Sequence, residues 1–177
     1  MHTGLRDQYN KVPKSLKIFL AKAFFIFVGW QILYHGYLEK TGFPNHILTK
    51  TTAIFTSSAL GFFYSHTEVL DDGFKCAILV NGERAVGIAD PCNALEIYVL
   101  YIAFLVCYPA ENKRRMIFAA AGMPLIFLVN IFRCVFITWL NIINSKYVDV
   151  AHHYIFTTIV YVLVFYLWVL FSKSKKA

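Results

Sequence analysis

Four side chains in this chain carry chemistry that its surroundings do not obviously need: Cys92, Arg133 and the pair His152–His153. Arg133 lies near the middle of an apolar stretch over 116–139 that is long enough to cross a bilayer. Inserting an arginine there costs roughly 2.5–3.5 kcal/mol on translocon scales, so it is by default a functional-site candidate. Cys92 follows Asp90 and Pro91, a preferred N-cap and a preferred first helical residue. The spacing therefore predicts Cys92 at the second position of a helix, where free N–H groups and the positive helix end favour a nucleophilic thiolate. His152 and His153 stand at the entrance of a third apolar run, placed to move a proton to or from that thiol.

Neighbouring residues supply candidate partners. Glu96, one turn beyond Cys92 on a continuous helix, is the natural ion-pair partner for Arg133. A purely structural Glu96–Arg133 pair is the competing reading. Asn130 precedes Arg133 by three residues and shares its face, so it can bind a substrate carbonyl or join helix to helix. Asp149 lies four residues before His153 and can orient its imidazole if that turn is helical; otherwise it is a loop acid. Together a thiol, a base and a guanidinium suit acyl transfer, with the guanidinium stabilising an oxyanion.

What positions these groups is a membrane fold. The 177 residues are 58% hydrophobic and 18% aromatic, too many long apolar runs for a soluble domain to bury. The expected fold is an all-α polytopic membrane protein, a bundle of 4–5 transmembrane helices forming one integral domain over 1–177. A short extramembrane β-hairpin precedes the cysteine helix. Residues 1–14 read as a cytoplasmic tail and 16–34 as the first span, with a loop over 35–49. Residues 50–64 read as an amphipathic or re-entrant helix, with a full span as the competing reading. The segment 74–89 is the hairpin, because Asn81-Gly82 is the strongest two-residue turn signal. Spans follow at 91–108, 115–141 and 154–171, with a basic tail at 172–177.

The net charge of +7 is placed at the ends of apolar runs, where it orients a membrane protein; no basic groove for nucleic acid is visible. Lys113-Arg114-Arg115 and the terminal lysines belong in the cytoplasm by the positive-inside rule. Arg133 then lies about 27 Å beyond Arg115, near the external boundary of a hydrocarbon core about 30 Å thick. Cys92 and the histidines reach the same depth on the external face of the cell membrane. Cys76, Cys92, Cys107 and Cys134 match no zinc spacing, and a Cys76–Cys92 bridge is open if both face an oxidising side. No metal or cofactor is expected.

The order Cys92, then Asn130-Ile131-Phe132-Arg133, then His153-Tyr154-Ile155 resembles the exosortase/archaeosortase family, over about 74–165. The resemblance implies a membrane-embedded cysteine protease or transpeptidase with Cys92 as nucleophile, Arg133 as substrate or oxyanion contact and His153 as acid/base, His152 being its rival. It implies exported protein substrates that end in a short motif, a transmembrane helix and a basic tail, and a surface acceptor molecule. The chain departs from the family where many members read Cys-Ser-Gly and this one reads Cys92-Asn93-Ala94, and where Thr157 replaces the usual glycine after the histidine motif. A non-enzymatic membrane subunit or a small transporter built on the Glu96–Arg133 pair is the alternative from a different class.

Overall fold

A computed structural model describes residues 13–73 and 75–173. The expected tails at 1–14 and 172–177 and the first residue of the expected hairpin, Phe74, lie largely outside them. The element order is α1 (Lys14–Thr41), α2 (Asn45–Leu60), β1 (Thr67–Asp71), β2 (Cys76–Val80), β3 (Glu83–Ile88), α3 (Leu95–Cys107), α4 (Asn112–Ile142) and α5 (Val148–Ser172). Three of these, α1, α4 and α5, are long and apolar enough to cross a membrane; α3 is a shorter apolar helix of 13 residues.

The three carboxyl-terminal helices share a core of Tyr98, Tyr101, Leu105, Ile126, Val164, Leu167 and Phe171. Gly122 lets α3 and α4 approach, since a Cβ there would occupy the ring and hydroxyl of Tyr101, which donates to the Phe118 carbonyl. At one end of this bundle two arginines close the helix termini. Arg114 donates to the Leu170 and Phe171 carbonyls at the end of α5. Arg115 donates to the Leu105 and Tyr108 carbonyls at the end of α3. The last carbonyls of a helix have no partner within it, and cationic donors both satisfy them and oppose the helix dipole.

At the other end lies a three-stranded antiparallel sheet in the order β1-β2-β3. Asn81 (φ 53°) and Gly82 (φ 85°) form the β2–β3 turn with the two positive φ values that the Asn-Gly pair favours. On β2, Cys76, Ile78 and Val80 alternate into a second core with Ala53, Leu60, Ile88 and Cys134. The expected hairpin is present, and β1 extends it, pairing Thr67–Asp71 with β2. Asp71 fastens that strand to α2 through His46 (3.0 Å) and Lys50 (3.1 Å). Those partners and the Gly73 N–H hold its carboxyl at about 2, the backbone bond being the largest cause.

Two expected boundaries move. The loop over 35–49 is mostly helical: α1 continues through a π turn at Tyr34–Leu38, and only residues 42–44 separate it from α2. Helix α2 is 16 residues long, about 24 Å, short of a hydrocarbon core of about 30 Å. Its polar side, with Asn45, Thr49, Thr52, Thr56 and Ser57, is buried, while Ile47, Ile54 and Phe55 are exposed. Part of the reversal has a cause in the site, where Asn45 and Thr49 find partners; the Thr52 and Thr56 hydroxyls are buried without one among the described residues.

Candidate active site

The nucleophile candidate does not stand on a continuous helix. Residues Asp90–Cys92 form a single 3-10 turn, and Ala94 takes the left-handed conformation (φ 63°, ψ 16°) before α3 begins at Leu95. The Cys92 N–H is already used, donating to the Ala89 carbonyl at 2.8 Å. The expected placement of Cys92 at the second position of a continuous helix is therefore corrected. The break also ends the helical phase between Cys92 and Glu96, which removes the basis for placing them on one face.

A buried polar network holds this turn in place. Asn93 is 1% exposed. Its Nδ2 donates to Asn45 Oδ1 (3.0 Å), the Asn45 carbonyl (3.3 Å) and Thr49 Oγ1 (3.2 Å), and its Oδ1 accepts from the Leu95 N–H (2.9 Å). The Thr49 hydroxyl donates to Asp90 Oδ1 at 3.0 Å. From the opposite side Asn130 Nδ2, on α4, donates to the Cys92 carbonyl at 2.8 Å. The turn is thus gripped by α2 and α4 together. Asn45, Thr49 and Asn93 were not among the expected site residues; the signal was the recurrence of polar residues at helical spacing along α2.

Cys92 Sγ lies 3.6 Å from His152 Nε2, and the same Nε2 lies 3.2 Å from Arg133 Nη2. A guanidinium N–H can only donate, so the Nε2 facing it is the unprotonated ring nitrogen; its single lone pair accepts from Arg133 here, and it accepts the thiol proton once Arg133 turns its N–H to another acceptor. Arg133 retains a buried Nε without a hydrogen-bond partner among the described residues, as does Asn130 at its Oδ1. Beside these groups is a cleft of about 260 Å³ whose walls include Arg133, His152, His153, Asn93, Glu96 and Tyr161.

The structure thus brings Cys92, Arg133 and His152 together and leaves His153 outside the cluster. His153 is exposed, and its Nδ1 meets the Asp149 backbone carbonyl at 3.1 Å, so Asp149 engages it through the main chain and not through its carboxylate. The selection is made by a π turn over Ala151–Ile155. The buried stripe of α5 steps five residues from Ala151 to Phe156 before resuming helical spacing through Val160 and Val164. Insertion of one residue per turn rotates everything before it, and π turns of this kind concentrate at functional sites. Glu96 and Arg133 line the same cleft but form no ion pair among the described residues. The four cysteines are free thiols, Cys92 half-buried and the other three buried. Burial pushes the Cys76 thiol upward from its ordinary pKa.

Comparison with known families decides what this arrangement belongs to. The profile of the transmembrane exosortases matches residues 12–171. The chain is a member of the transmembrane exosortase family. No curated protein and no solved structure gives a significant match. Exosortase membership accords with the three apolar helices of a multi-pass membrane protein, and it implies membrane-associated processing of exported proteins. It also bears on Ala94: this exosortase places an alanine in a left-handed conformation that glycine adopts without steric cost.

Proposed function

We propose that this exosortase is a cysteine protease or transpeptidase that cleaves C-terminal sorting signals from exported proteins. The convergence of Cys92 Sγ, His152 Nε2 and Arg133 Nη2 beside one cleft carries the reading. His152 Nε2 takes the thiol proton as Sγ attacks the scissile carbonyl carbon. The guanidinium of Arg133 donates to the oxygen that becomes negative, a role that favours preorganised donors in a dry site. Collapse of the tetrahedral species breaks the C–N bond, and His152 returns its proton to the departing amine. The acyl group is then held as a thioester until water or an amine on a surface acceptor releases it. Asn93, Asn45, Thr49 and Asn130 act as positioning residues through the Cys92 turn.

The accompanying topology is one integral domain over 1–177 with four spans: α1, α4 and α5, and a fourth over 91–108 in which the 13-residue α3, about 20 Å, is extended by the turn that precedes it. Helix α2 and the sheet lie on the external side of the cell membrane, and Arg114 and Arg115 lie in the cytoplasm. The apolar outer surface of α2 suits an interfacial position against lipid. The structural-subunit and transporter readings relied on a Glu96–Arg133 pair, and nothing in the site favours them.

The test is Cys92→Ala, expressed with an exported protein that ends in a short motif, an apolar helix and a basic tail. The expected result is substrate that keeps its C-terminal helix while the variant enzyme accumulates in the membrane at wild-type levels. Normal processing by that variant overturns the mechanism.

A further inference from the structure

Beside the catalytic cleft runs a larger apolar groove of about 730 Å³ between α1 and the pair α3 and α5. On α1 its wall is a helical stripe that includes Phe19, Ala23, Ile26, Trp30 and Tyr34, and on α3 it includes Leu100 and Ala103. These α1 residues span about 22 Å along the helix axis, roughly three quarters of a hydrocarbon core about 30 Å thick. Two contacts bracket it. Phe19 meets Phe104 edge-on at one end, with centroids 5.6 Å apart. At the other end Asn45 Nδ2 donates to the Tyr34 hydroxyl at 2.7 Å.

The groove and the cleft are continuous. Tyr34, Glu96, Ile97 and Tyr161 line both. Whatever lies in the groove therefore leaves it at the side of Arg133 and His152. The cleft, at about 260 Å³, takes only a short stretch of polypeptide. A peptide substrate needs its reacting bond held against Cys92, and binding energy from remote, non-reacting parts is what supplies that orientation.

We infer that this groove is the docking site for the substrate's own transmembrane segment, an apolar helix seated between α1 and α3 that presents the peptide bond just outside it to Cys92. The inference rests on the proposed peptide-cleaving role. A helix is wider than the present groove, and α1 is the wall able to yield: no residue of it is buried against the rest of the chain. The π turn at Tyr34–Leu38 lies where α1 would have to flex, beside the Tyr34–Asn45 bond. Asn45 in turn holds Asn93, so a seated helix touches the same hydrogen-bond chain that fixes the nucleophile turn.

The test places a photoreactive benzoylphenylalanine at Leu100 or Ile26 in the groove, and at Phe132 or Phe165 on exposed outer faces of α4 and α5. The full chain is reconstituted in phosphatidylethanolamine–phosphatidylglycerol vesicles with a synthetic peptide of a short polar segment followed by about 20 leucine and alanine residues, the length of one span. Adducts to the peptide are expected from the two groove positions and not from the two outer ones. An added Ala103→Trp substitution, which fills the groove, is expected to abolish them. Equal labelling at groove and outer positions, adducts to phospholipid alone, or labelling that survives Ala103→Trp each overturn the inference. The experiment is repeated in Cys92→Ala, where the adducts are expected to persist. Adducts that form where no chain carrying Cys92 cleaves any substrate would leave the docking site standing and remove the proposed chemistry.

Discussion

The choice between two adjacent histidines is the sharpest quantitative consequence of the π turn. His152→Ala removes the imidazole nitrogen that lies 3.6 Å from Cys92 Sγ and is the acceptor facing Arg133 Nη2 (3.2 Å). A positioned general acid–base contributes typically about 10²–10⁴-fold, which at about 1.36 kcal/mol per tenfold is roughly 2.7–5.5 kcal/mol of barrier. His153→Ala removes an exposed ring that meets the Asp149 main-chain carbonyl and, edge-on, the His152 ring, with centroids 4.8 Å apart. Surface substitutions of that sort change stability by no more than about 0.5 kcal/mol, and among the described residues the ring makes no hydrogen bond to Cys92 or Arg133, so the rate is expected to fall by no more than roughly threefold. The assay follows conversion of a co-reconstituted exported substrate to the form lacking its C-terminal helix, by mass, under single-turnover conditions. His152→Gln separates two roles, since the amide still offers Arg133 an acceptor but cannot shuttle a proton. It is expected to match His152→Ala in rate. A large loss in His153→Ala with near-normal turnover in His152→Ala would refute the assignment, and near-normal turnover in both would refute an imidazole base altogether.

Arg133→Lys is expected to lower turnover by at least about tenfold without reducing the amount of inserted enzyme, because an ammonium point charge does not replace the planar guanidinium fork; wild-type turnover would show that only the charge is used. Ala94→Gly is expected to retain activity within about threefold, whereas Ala94→Val, a β-branched residue forced into a left-handed conformation, is expected to cost about 1–3 kcal/mol in thermal stability and to reduce Cys92 alkylation or processing sharply. Gly122→Ala drives a methyl group into Tyr101, and overpacking of that kind costs typically about 1–3 kcal/mol, read as a lowered melting temperature in detergent.

Much of the frame was legible as sequence because its signals are local. The apolar runs of α4 and α5 and the Asn81-Gly82 turn need no tertiary information. Other features depend on contacts between distant segments. Strand β1 carries two acidic residues and exposes most of its side chains, and it becomes a strand by pairing with β2 and by the Asp71 clamp to α2. Asn45 and Thr49 belong to a segment that reads as a loop, yet on the first turns of α2 they are the partners of Asn93 and Asp90. The meeting of thiol, guanidinium and imidazole at one level followed from topology and helix rise. Which imidazole, and whether Glu96 faces Arg133, did not. Both depend on helical phase, which a π turn and a left-handed Ala94 reset without any compositional trace.

Arg114 and Arg115 serve at two moments of the protein's life. In the proposed topology their charge is, during insertion, a vote for which loop stays behind. Once the helices are across, the same guanidinia are the fasteners that hold the ends of α3 and α5 to the start of α4. Lysines at both positions would cast the same vote and lose the forked grip. Such a protein would be threaded through the bilayer in the right sense and still fail to draw its helices together, so that correct topology and correct assembly become separately measurable outcomes.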